Sequence, residues 1–270
     1  MNIITVTRFS KEFGIEFAEK VAEKLNYRCI SQQIFNEAAI RYNTPEIKLM
    51  SAVEKPISIT DHFMSVRDKY RAYIGSTLLK NMLEGNVIYH GMAGHLFVKG
   101  VSHALRVGIT ADKKDRAKFF LDAHDGDEEK ALREVEQIDR NIQRWGQHKI
   151  LNMDPLDSSM QDIVLNVSHI SMDEAVNTAC RLAQSPAFQA TPESIRALED
   201  LYICSQVKIA LIDNWPNCRI TIKNGAITVN IADGHVFDEE FHQANTRDEV
   251  YLLIRDIEGV EKVNVEISIY

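Results

Sequence analysis

Cysteine is scarce. Four occur in 270 residues, at 29, 180, 204 and 218, with no Cys-x-x-Cys pair and no regular spacing. That excludes a disulfide framework and a cysteine-built zinc site, and it fits a reducing cytoplasm. Long apolar runs are missing too: none approaches the roughly 18 residues that span a bilayer. The first residues, Met1-Asn2-Ile3-Ile4-Thr5, have neither the basic start nor the apolar stretch of a secretory signal. Glycine and proline number only 12 and 6, too few for a collagen-like or low-complexity chain.

What remains has globular proportions, with 45% apolar and 26% charged residues. At roughly 100–200 residues per domain the length predicts one large domain or two. Charge is unevenly placed. Residues 191–270 hold 7 Lys and Arg against 14 Asp and Glu, while the first 190 residues hold 24 against 25. Such an acidic end repels nucleic acid and anionic lipid, so neither is expected as a partner.

Period and punctuation divide the chain. Ile3 to Thr7 has the form of a buried strand. Phe13, Phe17, Val21 and Leu25 recur at i+4 and predict a helix, after a six-residue loop from Arg8 to Phe13. A short strand at Cys29-Ile30 and a helix over 33–41 follow. Residues 43–60, with Pro45 and Pro56, are expected to be irregular, and 61–84 helical. Further strands are expected at 86–90, 104–110 and 162–167, with helices at 113–123, 126–144 and 175–182. Ser171 stands at a helix start, and residues 148–159 are expected to form a loop. Alternating strands and helices imply an α/β fold with a mostly parallel sheet flanked by helices. In such sheets ligands bind at the carboxyl ends of the strands, here Arg8 to Gly14, His90 to His95 and Thr110 to Lys114. Ser185 to Ala190 has the composition of a linker. Beyond it, Thr191-Pro192 opens a helix. Strands are expected on either side of Asn224-Gly225, a hairpin signal, then a helix over 246–257 and a final strand with Val263, Val265, Ile267 and Ile269 as core. The order is α-β-β-α-β, a small α+β domain over 191–270 after a first domain over 1–185.

Four stretches carry a family likeness. Ile4 to Arg8 with Gly14 and Ala18 to Leu25, Gly85 to Gly91 with Ala93 to His95, Leu105 to Ile109 with Asp115-Arg116, and Asp162 to Asn166 with Glu174 to Val176 together resemble the cytidylate-kinase-like family. Those are nucleoside monophosphate kinases with a P-loop-type fold. The resemblance implies transfer of a phosphoryl group from ATP, with magnesium, to a nucleotide such as CMP or another phosphorylated small molecule. It implies Arg8, Ser10, Lys11 and Gly14 at the cofactor phosphates, His90, Gly91 and His95 at the substrate, and Arg106, Arg140 and Arg144 as catalytic cations. The C-terminal domain resembles a BON domain through Lys223 to Val229 and Ile257 to Val263. BON domains are associated with phospholipid or ligand binding. The module could also serve as a contact for a homo-oligomer or a protein partner.

The departures from the family are as informative. A phosphate loop needs small residues so that backbone N–H groups can approach the anion. Here the stretch is Ser10-Lys11-Glu12-Phe13-Gly14, with only the last glycine kept. Ser31-Gln32-Gln33 stands where relatives carry Asp-Arg-Glu, and Ile142 where relatives place an arginine. Two readings stay open: a working phosphotransferase, and a catalytically silent descendant that senses a ligand or holds a partner. His90 and His95, five apart with no third ligand fixed, do not define a metal site. Arg116 is expected on a solvated helix face, within reach of a phosphate.

Overall fold

The computed structural model describes residues 2–54, 64–91, 93–146, 157–223, 225–233 and 239–269. In chain order the elements are β1 (Ile3–Arg8), α1 (Lys11–Leu25), β2 (Arg28–Ile30), α2 (Gln33–Arg41), α3 (Glu46–Glu54), α4 (Met64–Leu83), β3 (Val87–Gly91), β4 (Ala104–Thr110), α5 (Lys113–Ala117), α6 (Glu128–Gly146), β5 (Ile163–Asn166), α7 (Met172–Ala183), α8 (Pro192–Leu211), β6 (Arg219–Lys223), β7 (Ala226–Asp233), α9 (Glu239–Ile254) and β8 (Lys262–Ile269). The described residues form two compact units. One gathers those of 1–34 and 84–194. The other gathers those of 35–53, 60–83 and 195–270. No described helix is long and apolar enough to cross a membrane.

The first unit is built on a five-stranded parallel sheet in the order β2-β3-β1-β4-β5. Ile4 and Val6 of β1 alternate with Thr5 and Thr7, so one face is apolar and the other carries hydroxyls. The apolar face meets α1 and α7. Ile4, Val6, Phe17, Val21, Leu105, Val107, Ile109, Ala175 and Ala179 form this buried core. Asn26 ends α1 in the left-handed region at φ 55°, where its N–H bonds Ala22 and Glu23 carbonyls. An asparagine tolerates that conformation better than most residues. Helix α7 opens on a reciprocal cap: the Ser171 hydroxyl accepts the Glu174 N–H at 3.2 Å and the Glu174 carboxylate accepts the Ser171 N–H at 3.1 Å.

The second unit holds a three-stranded sheet, β6-β7-β8, with β6 and β7 antiparallel and β7 and β8 parallel. Ile203, Val207 and Leu211 of α8, Ile227, Val229 and Ile231 of β7, and Val250 and Ile254 of α9 make its core. Gly225 at φ 74° turns the chain from β6 to β7; Asn224 lies outside the described residues. In the same unit α2 and α4 are tied to α8. Tyr202 accepts from Arg41 Nη2 at 2.5 Å, Gln206 bonds Ser76 and Tyr42, and Tyr42 stacks on Tyr73 at 4.1 Å.

Several expectations need correction. Helix α1 begins at Lys11, so the loop before it has two residues and not six. Residues 46–54 form α3 rather than irregular chain; Pro45 starts it, its carbonyl accepting the Lys48 N–H at 3.0 Å. The helix expected at 113–123 stops at Ala117 and continues as short 3₁₀ turns. Helix α9 starts at Glu239, ahead of the expected 246. Most of the loop expected at 148–159 lies outside the described residues.

Candidate functional site

The order of the sheet places β3 on one side of β1 and β4 on the other, so the chain leaving β1 stands at a switch point between two neighbours. Ligands of open parallel sheets gather at that position. What the chain builds there decides the chemistry. Only Phe9 and Ser10 separate β1 from α1. The Ser10 N–H donates to the Ile109 carbonyl at 3.2 Å, and the Ser10 carbonyl accepts from Gly14 at 3.0 Å. Ser10 is fully buried, makes no side-chain cap, and its hydroxyl has no hydrogen-bond partner among the described residues. Lys11 is exposed on the first turn of α1.

Gly14 lies inside that first turn. A Cβ there would stand 2.5 Å from Arg8 Cγ. Its small size therefore makes room for the Arg8 stem to lie across the helix start. The Phe9 ring lies over the neighbouring strand β4: a Cβ at Gly108 would come within 2.8 Å of it. Phe13 packs edge-on against Phe119 at 4.9 Å.

Beside β1, strand β3 delivers His90 and Gly91. His90 pairs with Val6, on the same sheet face as Arg8. It is buried, and burial, then the Arg8 charge, pushes its pKa down to about 4. Its carbonyl accepts the Ser31 hydroxyl at 3.0 Å. The following 3₁₀ turn, Gly94–Val98, carries His95 onto the hydroxyl face. Thr7 Oγ1 lies 3.0 Å from His95 Nδ1 and accepts from Gln161 Nε2 at 3.1 Å. With Gln161 donating to it, the threonine hydroxyl can donate its own proton to an unprotonated Nδ1, the partner a neutral imidazole offers. Burial, then the Arg106 charge, holds His95 at about 4, against an opposing pull from Asp157.

Tyr89 closes this corner. A Cβ at Gly91 would lie 2.4 Å from its hydroxyl oxygen, and one at Gly94 would lie 2.3 Å from Cδ1 and 3.5 Å from Thr5 Cβ. Both glycines are there so that the ring can lie flat on the backbone. Gly94→Ala is expected to destabilise the protein by about 1–3 kcal/mol through overpacking. Pairing it with Tyr89→Leu should recover part of the loss in urea melts. Strictly additive losses would show that the ring is not the obstacle.

Arg106 is committed to Asp162. Its Nη2 donates at 2.7 Å and its Nε at 3.1 Å, and its backbone N–H adds a third bond to the same carboxylate at 2.8 Å. Arg140 and its neighbours form a separate feature. A cavity of about 620 Å³ opens beyond the end of β4, lined by Phe9, Thr110, Lys113, Arg116, Arg140 and Ile142, with Glu136 and Asp139 beside them. Arg116 is only 7% exposed, contrary to the solvated face expected for it, because Asp139 of α6 accepts its Nη1 at 2.7 Å. Arg140 is held by Gln137 at 3.0 Å. Arg144 lies on the last turn of α6, with its side chain outside the described residues. Phe9, Thr110 and Lys113 fall within the strand-end stretches 8–14 and 110–114 expected to meet a ligand, although no individual role was expected of them. Among the described residues no group of three His, Cys, Asp or Glu could hold a metal ion.

Residues 3–169 match the cytidylate kinase-like family. The chain belongs to that family. No curated protein matches it. Two solved structures are similar to this cytidylate kinase-like chain. An uncharacterized protein from Eubacterium ventriosum is 18% identical, with 67% of this chain and 97% of that one covered and a TM-score of 0.48. Shikimate kinase from Acinetobacter baumannii, in complex with shikimate, is 11% identical, with 70% and 95% covered and a TM-score of 0.37.

ATP with magnesium is the cofactor the cytidylate kinase-like family implies, and the start of α1 does not fit a triphosphate. A cradle needs a run of loop N–H groups turned toward the anion. Here the run is two residues long, one N–H is spent on Ile109, the Arg8 stem lies across the opening, and Glu12 places a carboxylate in the first turn.

Proposed function

We propose that this member of the cytidylate kinase-like family binds a nucleotide or another phosphorylated small molecule and transfers no phosphoryl group. The observation that carries this reading is the two-residue connection, Phe9-Ser10, between β1 and α1. The cavity beside α5 and α6 is where the ligand binds. Lys113, Arg116 and Arg140 set three cations against the carboxylates of Glu136 and Asp139, a surplus suited to an anion. Phe9 and Ile142 supply apolar wall for a base or ring. His90 and His95, neutral at pH 7, act as fixed hydrogen-bonding groups rather than as proton carriers. The C-terminal segment, 191–270, is a BON-like αββαβ module appended to a kinase-like region over 1–185.

The alternative is phosphoryl transfer from ATP to CMP, with the charge of the transferred group neutralised by those same cations. It is favoured by the number of basic side chains that line one cavity. A single experiment separates the two. The protein is mixed with ATP, magnesium and each nucleoside monophosphate, and ADP release and melting temperature are followed. The expected result is no ADP above the buffer rate, a raised melting temperature with at least one nucleotide, and a smaller rise for Arg140→Ala. Turnover with CMP that disappears in Arg8→Ala would establish the enzyme instead. A melting temperature that no nucleotide moves would end the ligand reading.

A further inference from the structure

The second unit leaves one long strand half paired. Among the described residues, strand β8 bonds β7 along one side only and is the edge of its sheet. An open edge is a template for another strand, and proteins usually blunt it with proline, bulges or repeated charge. Between Lys262 and Ile269 there is no proline and no glycine, and the ladder to β7 runs unbroken over the whole strand. The inward residues are also under-covered. Val263, Val265 and Ile267 sit opposite the buried Ile227, Val229 and Ile231, yet stay only half buried, contrary to the core stripe expected from their alternation. Helix α9, which packs beside β8, exposes Tyr251, Leu252 and Leu253 by 42–57%.

The outward face of the strand identifies what pairs with it. Lys262, Asn264 and Glu266 are exposed and alternate along that face, and Lys262 has no ion-pair partner among the described residues. The pattern Lys-Val-Asn-Val-Glu is complementary to itself when reversed. If two copies align antiparallel about a two-fold axis at Asn264, each Lys262 faces the other copy's Glu266. Each Val263 then faces the other's Val265, and the two Asn264 side chains meet. Directly opposed pairs of unlike charge stabilise a ladder, and like charges oppose it. The other edge of the sheet lacks this property, because the same arrangement of β6 would set Arg219 against Lys223.

We propose that β8 is a dimerisation edge, and that a second copy of this chain pairs with it antiparallel to make one six-stranded sheet. A two-fold contact of this kind is self-complementary and closes, so it gives dimers and not fibres. The inference is independent of any ligand in the first unit.

Charge exchange on the exposed face tests it without disturbing the fold. Sedimentation equilibrium of the full chain at about 50 µM should show a dimer. Lys262→Glu alone and Glu266→Lys alone should each weaken association on the order of tenfold or more, since two attractive pairs become two repulsive ones. Mixing the two variants should restore association as a heterodimer, and the double exchange in one chain should restore the homodimer. A wild-type chain that stays monomeric would overturn the proposal. So would a dimer that both single reversals leave intact, because a different surface would then be responsible.

Discussion

Lowering the pH from 6.5 to about 4 is expected to remove on the order of 6 kcal/mol of folding stability through two histidines alone, about 3 kcal/mol each. His90 and His95 are 8% and 0% exposed. In the folded chain both resist protonation until about pH 4, mainly because burial penalises the charged ring. In the unfolded chain they take up protons near the ordinary value of 6.5. Across this window the unfolded state therefore holds more protons, and acid favours it. The contribution is complete above pH 6.5, falls as the pH drops, and is gone below about 4. For His95 the geometry gives the same sign, since protonated Nδ1 could no longer accept the Thr7 hydroxyl proton. Urea unfolding at half-unit steps of pH measures the slope. His95→Asn and His90→Asn should each flatten it between pH 6 and 4.5. A slope that neither substitution changes would mean that the two rings titrate alike in both states.

Phe17→Ala should cost about 3–5 kcal/mol, the range for truncating a buried aromatic ring. Phe17 is fully buried between α1 and the sheet, among Ile4, Val6, Leu105 and Val107. A ring lost from that position leaves a void between two rigid layers that cannot close over it. The midpoint in urea should fall with an unchanged slope. Lys20→Ala, on the exposed side of the same helix, should stay within about 0.5 kcal/mol. A loss below about 1 kcal/mol at Phe17 would mean that α1 is not seated on the sheet as described.

The parallel sheet was legible because its strands are apolar runs set between helix periods, and β4 begins and ends where Ala104 and Thr110 place it. The start of α1 was misjudged although its signals were present. Ser10 stands at the cap and Glu12 in the first turn, both ordinary marks of a helix beginning. The family resemblance drew those residues into a loop that this chain does not make. Arg116 could not be placed from sequence, because what buries it is Asp139 on another helix, 23 residues farther on. The same holds for the Thr7–His95–Gln161 group, whose members are 88 and 154 residues apart. Alternation in the last strand gave the right inward residues and the wrong depth, since period two reports direction and not whether a neighbouring strand lies beyond.

The second unit is assembled from two stretches of chain far apart in synthesis. Tyr202 follows Arg41 by 161 residues, and Gln206 follows Ser76 by 130. At about 5–20 residues per second, helices α2 and α4 leave the ribosome roughly 6 to 30 seconds before α8 exists to receive them. For that interval Tyr42 can already stack on Tyr73, but the side chains that meet α8, Arg41 and Ser76 among them, wait for their partners.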